Sequence, residues 1–188
     1  MSDIIESDAI QLNTIQSMYE LACAAPSDIH EHLPVIHEYC LKCAHVTEFG
    51  VRDVVSTWAM LHAKPMKCIS YDVHESDKVA AAAMIVAREH VHWQFIKADT
   101  LSITMEQTDL LFIDTLHTYD QLIKELELHH DKVNKYIMMH DTSFHGDTGE
   151  NGRAGLWQAI QEFLQKHAQW QLVERRTNNN GLTVLGRK

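Results

Sequence analysis

TDLLFIDTLHTYD, residues Thr108 to Asp120, sets an apolar run, Leu110 to Ile113, directly against Asp114, and His117 follows three residues later. A short, unbroken apolar run bounded by polar residues is the pattern of a strand buried on both faces, as in the middle of a parallel sheet. A carboxylate is badly placed inside such a core and well placed at its edge. The stretch therefore predicts a central strand that stops at a cleft.

The flanking sequence supplies the rest of an α/β domain. A helical pattern runs from Asp8 to Ala24, with Ile10, Ile15, Met18, Leu21 and Ala22 at helical spacing. Ser27 or Asp28 then caps a second helix reaching about Leu41, with Pro34 in its first turns. Beyond residue 44 strands and helices alternate. Strands are expected at 45–50, 67–73, 93–99, 108–114 and 136–141, and helices at 53–63, 76–90, 119–133 and 156–168. Two last strands, WQLVERR and GLTVLGR, are joined by TNNNG, which is hairpin chemistry. The expected fold is a doubly wound, mostly parallel seven-stranded sheet of α/β class, with an antiparallel last strand and N-terminal helices. Residues 1–44 are expected to pack as a helical segment on a core of 45–188, all within one domain.

Composition narrows the partners. The 188 residues hold 26 acidic and 16 basic side chains, a formal charge of −10. Affinity for a nucleic-acid duplex or an anionic membrane rests on Lys and Arg, so neither is the expected partner. The opening MSDIIESDAI lacks the basic-then-apolar order of a signal peptide, and VAAAAMIVA is far short of the roughly 18 apolar residues a spanning helix needs. A cytoplasmic location is expected, and a homo-oligomer is left open. Cys40 and Cys43 form a C-x-x-C with no second pair to complete a zinc site, so all four cysteines read as reduced thiols. His32 and His37 are five apart, on different helical faces.

In an open parallel sheet, ligands bind beyond the carboxyl ends of the strands. Those ends carry Glu48 with Gly50, then Asp72, Asp99, Asp114 and Asp141. With neighbouring strand ends about 5 Å apart, Asp114 and Asp141 can share a divalent ion. His117, on the same rim, has the pKa range of a base working near neutrality, and also fits a residue that starts the next helix.

VTEFGVRDVVSTWAML (46–61) resembles the first motif of class I S-adenosylmethionine-dependent methyltransferases, in the variant where an acid and a glycine precede Ser or Thr. FIDTLHTYDQLIKELELHHDKVNKYIMMHDT resembles the metal-dependent small-molecule O-methyltransferases within that superfamily, the macrolide-sugar type and, more distantly, the catechol type. The resemblance spans about residues 28–188 and lacks the second and third glycines of the fuller motif. It implies S-adenosyl-L-methionine as cofactor, held by Glu48, Gly50, Ser56, Thr57, Asp72 and Asp99. Gly50 would let the backbone approach the ligand, the following helix would offer N–H groups to the methionine carboxylate, and Ser56 and Thr57 would add hydroxyls. Asp72 would bind ribose hydroxyls and Asp99 would meet the adenine amino group. It further implies Mg²⁺ or Mn²⁺ on Asp114 and Asp141, with His140 as a third ligand or turned into the sheet. His117, with Asp114, would deprotonate a small-molecule or sugar hydroxyl. Several positions have plainer readings: Gly50 as a tight turn, Asp72 as a helix cap, Asp99 as the cap of whatever follows it. Other histidines, His129, His130 and His145 among them, carry no positional argument. The loop Ser143–Gly155 is expected to be a mobile lid. A nicotinamide-dependent dehydrogenase, and an inert member that binds a ligand or partner, are the competing readings. The first lacks its G-x-G-x-x-G fingerprint here.

Overall fold

Strands β1 (His45–Phe49), β2 (Lys67–Asp72), β3 (Trp93–Lys97), β4 (Thr108–Ile113), β5 (Val133–His140), β6 (Trp170–Arg176) and β7 (Leu182–Arg187) form one sheet in the order β3-β2-β1-β4-β5-β7-β6. The first five pair in parallel, and β7 runs antiparallel to both β5 and β6. The computed structural model describes residues 13–188. The first residues of the helix expected from Asp8 lie outside that range.

The strand alternation decides which helices cover which face. Leu110, Phe112 and Met138 point to one side, where they meet residues of α1 (Ile15–Ala24), α2 (Leu33–Cys40), α3 (Val55–His62) and α4 (Asp77–Arg88). Leu111, Ile113, Ile137 and Met139 point to the other, against α5 (Tyr119–His129) and α6 (Leu156–Lys166). Each fully buried Leu or Ile contributes about 1.5–3 kcal/mol. Because β4 and β5 are buried on both faces, they read as unbroken apolar runs rather than alternating ones. Ile15, Leu33 and Ile36 are fully buried in the first layer, so the N-terminal helices share the core of the sheet.

Differences from expectation concern ends. The second helix begins with a 3-10 turn, His30–His32, before Leu33, and Pro34 sits in the first turn of α2, where its missing N–H costs nothing. Helix α5 stops at His129 and passes through a 3-10 turn, His130–Lys132, so β5 starts at Val133, three residues earlier than expected. Val133 is buried but Asn134 and Lys135 are exposed, a solvated strand start that an apolar pattern does not mark. All four cysteines are free, and Cys40, Cys43 and Cys68 are buried. Among the described residues, no helix is long and apolar enough to cross a membrane.

Candidate functional site

Asp114 and Asp141 lie side by side because β4 and β5 are neighbours and each residue directly follows its strand. The Asp114 N–H donates to the Phe49 carbonyl at 2.8 Å, extending the β1–β4 ladder by one bond. Asp141 has φ +58, in the left-handed region that side-chain-bearing residues seldom adopt. Backbone strain of this kind clusters at functional sites.

Two imidazoles close on this acid pair. His117 Nε2 lies 2.8 Å from Asp141 Oδ2 and 3.3 Å from Asp114 Oδ1. His140 is turned inward, 2 % exposed, with Nδ1 at 3.4 Å from Asp141 Oδ2 and 3.6 Å from Asp114 Oδ1. Its Nε2–H donates to the Asn179 carbonyl at 3.2 Å, which fixes the ring with Nδ1 towards the acids. His140 Nδ1 and Asp141 Oδ1 are buried and have no hydrogen-bond partner among the described residues. Burial alone would lower both imidazoles. The nearby carboxylates of Asp114 and Asp141 outweigh it and push His117 and His140 up to about 10. Conversely, burial would raise the acids, yet the two imidazoles hold Asp114 below and Asp141 far below the usual carboxylate range. Asp114, His140 and Asp141 each offer a ligand atom, all within 4.8 Å of one another. Two carboxylates and a nitrogen with unmet capacity suit a divalent cation.

Beside this cluster opens a cleft of about 710 Å³, bounded by Gly50, Asp72, Asp99, Asp114 and His117. That volume lies in the range of small-molecule and cofactor sites. Gly50 has φ +86, and a Cβ there would overlap the Asp114 carbonyl oxygen, so the loop after β1 and the end of β4 touch backbone to backbone. Arg52 and Val54 also have positive φ, making a loop whose N–H groups turn inward as an anion cradle. The anion in it is Asp72: its Oδ2 accepts from the N–H of Val51 at 2.7 Å and of Arg52 at 3.0 Å, and its Oδ1 from His74 at 2.8 Å. Asp72 thus shapes the cleft loop while keeping little spare accepting capacity. Asp99 lines the cleft and caps its own turn, accepting from Leu101 N–H at 2.9 Å.

Three of the expected cofactor-binding side chains are occupied elsewhere. Glu48 is fully buried inside β1, where Ser56, Thr57 and Ser70 hydroxyls all donate to its carboxylate at 2.6–3.1 Å. The hydroxyls of Ser56 and Thr57 are therefore engaged by Glu48, while Ser56 also borders a small recess beside Gly50, Asp114 and His117. The reason is register. Glu48 precedes the last strand residue, so it points into a helix-covered face, whereas Asp114 and Asp141 lie past their strands.

The loop Ser143–Gly155, the expected lid, is tied down by hydrogen bonds to its surroundings. Glu150 clasps His117 through its backbone, accepting from His117 N–H at 3.0 Å and donating its own N–H to the His117 carbonyl at 3.0 Å. Gly155, Leu156 and Trp157 N–H groups bond back to Asp147, His145 and Gly146. His145 stacks on His117, ring centroids 4.9 Å apart and planes nearly parallel. Glu150, His145 and Asn179 are the site residues that sequence reasoning missed. They approach from 28 to 62 residues away along the chain, and no local motif marks them. Glu125 is also buried here, accepting from Thr100, Thr115 and Gln121 and bracing the loops beneath the cleft.

No family model matches the chain, and no curated protein does. Solved structures do match it. The chain is similar to the S-adenosylhomocysteine-bound methyltransferase PaMTH1 of Podospora anserina, with TM-score 0.65, 14% identity, and 94% of this chain and 88% of that one covered. It is equally similar to a Staphylococcus aureus protein described as a caffeoyl-CoA O-methyltransferase, with TM-score 0.66, 15% identity, and 95% and 94% covered. The N-methyltransferase NodS of Bradyrhizobium japonicum, also bound to S-adenosylhomocysteine, matches with TM-score 0.63 at 13% identity over 93% and 99%. The seven-stranded sheet is the Rossmann-like fold of class I methyltransferases, shared by O- and N-methylating members.

Proposed function

We propose that the protein is an S-adenosyl-L-methionine-dependent methyltransferase acting on a small-molecule or sugar hydroxyl, assisted by a divalent metal ion. The observation that carries this reading is the meeting of Asp114, Asp141, His140 and His117 at the rim of a cofactor-sized cleft on a methyltransferase fold. Asp114, Asp141 and the His140 Nδ1 would hold Mg²⁺ or Mn²⁺, and the buried, partnerless His140 Nδ1 and Asp141 Oδ1 supply the unmet ligand capacity. The nitrogen ligand tilts the choice towards Mn²⁺. Such an ion supplies positive charge that acidifies a hydroxyl. S-adenosylmethionine supplies an electrophilic sulfonium methyl group.

The chain's own groups do the rest. The Gly50–Val54 loop and Asp72 form the wall against which the cofactor lies, and Asp99 stands at the far side. His117 is the proton acceptor. Between two bare carboxylates its imidazole keeps its proton; an ion compensating their charge would remove the cause of that shift and leave Nε2 able to accept. Glu150 holds the backbone of His117 in place for that role.

Calorimetric titration tests the reading. S-adenosylmethionine and S-adenosylhomocysteine should bind, NADH should not, and Mn²⁺ should bind wild type but not Asp141→Asn. NADH binding in place of S-adenosylmethionine would establish a dehydrogenase. Cofactor binding with no Mn²⁺ dependence of any kind would leave a methyltransferase without metal.

A further inference from the structure

At the ends of α5 and α6 opposite the cleft, three more ligand-bearing side chains meet. Glu127 lies in the last turn of α5, His130 opens the 3-10 turn after it, and His167 follows α6 directly. By the rise of an α-helix this is about 15 Å along α5 from His117's end. Each offers one ligand atom, and the three atoms lie within 4.8 Å of one another. Glu127 Oε2 is 3.0 Å from His167 Nε2, and the two imidazole centroids are 4.2 Å apart.

Two features separate this group from an ordinary surface ion pair. The His130 side chain is 7 % exposed, and its Nδ1, which lies 3.3 Å from the exposed Asp131 Oδ1, makes no well-formed hydrogen bond among the described residues. An unmet polar atom in a buried ring costs stability unless something else satisfies it. The rings are also held in place, since Phe163 packs against both, at 5.4 Å from His130 and 4.5 Å from His167. Lys166 is nearby, but its ammonium sits 2.7 Å from Glu162 Oε1 and 3.7 Å from Glu127 Oε1, leaving Glu127 Oε2 to the imidazoles.

We propose that Glu127, His130 and His167 form a transition-metal site, selective for Zn²⁺ over Mg²⁺, that clips the end of α5 to the end of α6. Two imidazoles and one carboxylate are an established zinc donor set, with a fourth position left to water. Tetrahedral ligands on zinc stand on the order of 3.3 Å apart, close to the 3.0 Å between Glu127 Oε2 and His167 Nε2 and inside the 4.8 Å that bounds all three atoms. Glu127 and His167 reach solvent, which gives a metal ion its path in.

The test uses the full chain carrying Asp114→Asn and Asp141→Asn, which removes the acid pair at the cleft. Zn²⁺ should bind this protein at one equivalent and raise its melting temperature, while Mg²⁺ should not. His167→Gln and Glu127→Gln in that background should each weaken Zn²⁺ binding by roughly tenfold or more and abolish the thermal shift. Both positions are partly exposed, so these variants fold even if His130→Gln does not. No Zn²⁺ bound to the doubly substituted protein, or binding unchanged by both Gln variants, would overturn the site. Because the cleft acids are absent throughout, neither result depends on the methyltransferase reading.

Discussion

A single acid, Glu48, shows how one residue's register sets its chemistry. Burial pushes its carboxyl up to about 7, against the hydroxyls of Ser56, Ser70 and Thr57 that favour the charged form. The folded state therefore binds this proton more tightly than the unfolded chain does. Its contribution is complete below the unfolded carboxylate range and is lost as pH rises through about 7. Glu48→Gln should flatten the dependence of melting temperature on pH between about 5 and 7, and should melt higher than wild type at pH 8. Thermal unfolding across that range checks this, and an unchanged profile would place the charge elsewhere. Gly50 is the other residue with no tolerance. Alanine there meets the Asp114 carbonyl and an unfavourable φ together, so Gly50→Ala should cost about 1–3 kcal/mol or more and displace Asp114. Its signature is weakened binding of both S-adenosylhomocysteine and Mn²⁺, since the two share that contact. The meeting of Asp114 and Asp141 past neighbouring strands was legible in the sequence because each acid comes at the end of an apolar run. Glu48 was not, because one residue of register turns an acid from the rim into the interior.

At the scale of elements, the β6–β7 turn matters more to the cleft than its distance in sequence suggests. Asn179 accepts from Glu31 N–H through its side chain, donates to the Ser27 carbonyl, and offers its backbone carbonyl to His140. Asn180 accepts from the N–H groups of both Ser143 and Phe144. The TNNNG sequence announced a hairpin, and its φ values of +44, +68 and +97 at Asn179, Asn180 and Gly181 show why Asn and Gly are there. That the hairpin tip would buttress His140 was invisible, since it depends on which strand β7 joins. Asn179→Gly keeps the backbone conformation and removes the side-chain anchors. It should lower Mn²⁺ affinity by about 10–100-fold and leave S-adenosylhomocysteine affinity unchanged, as two calorimetric titrations would show. Equal losses for both ligands would mean the hairpin supports the whole cleft.

Across the whole molecule, stability and site geometry come from the same strands. Ile137 is fully buried and pairs with Leu111 on one side and Leu185 on the other, linking β4, β5 and β7. Ile137→Ala should destabilise the protein by about 2–5 kcal/mol, which for a chain of this size lowers the melting temperature by several degrees. A denaturant titration gives the free energy directly, and a loss under about 1 kcal/mol would mean that the surrounding core collapses into the space. The order of elements and the parallel core could be read from alternation and apolar runs. The place of β7 between β5 and β6 could not, because antiparallel hairpin chemistry says that two strands pair and not where the pair docks.

That interposed strand imposes a timetable on synthesis. The ribosome delivers β7 after β6, yet β6 has no seat in the sheet until β7 lies against β5. The Asn179 carbonyl that orients His140 comes just before β7 in translation order. A nascent chain arrested before residue 182 can pair β1 with β2 and β4, and β2 with β3, closing the Gly50 loop around Asp72, while β5 still has a bare outer edge. Its His140 ring then has no fixed direction, so the acid pair is formed but not yet framed. The Gly50 side of the cleft can form while the chain is growing, and the His140 side waits for β7.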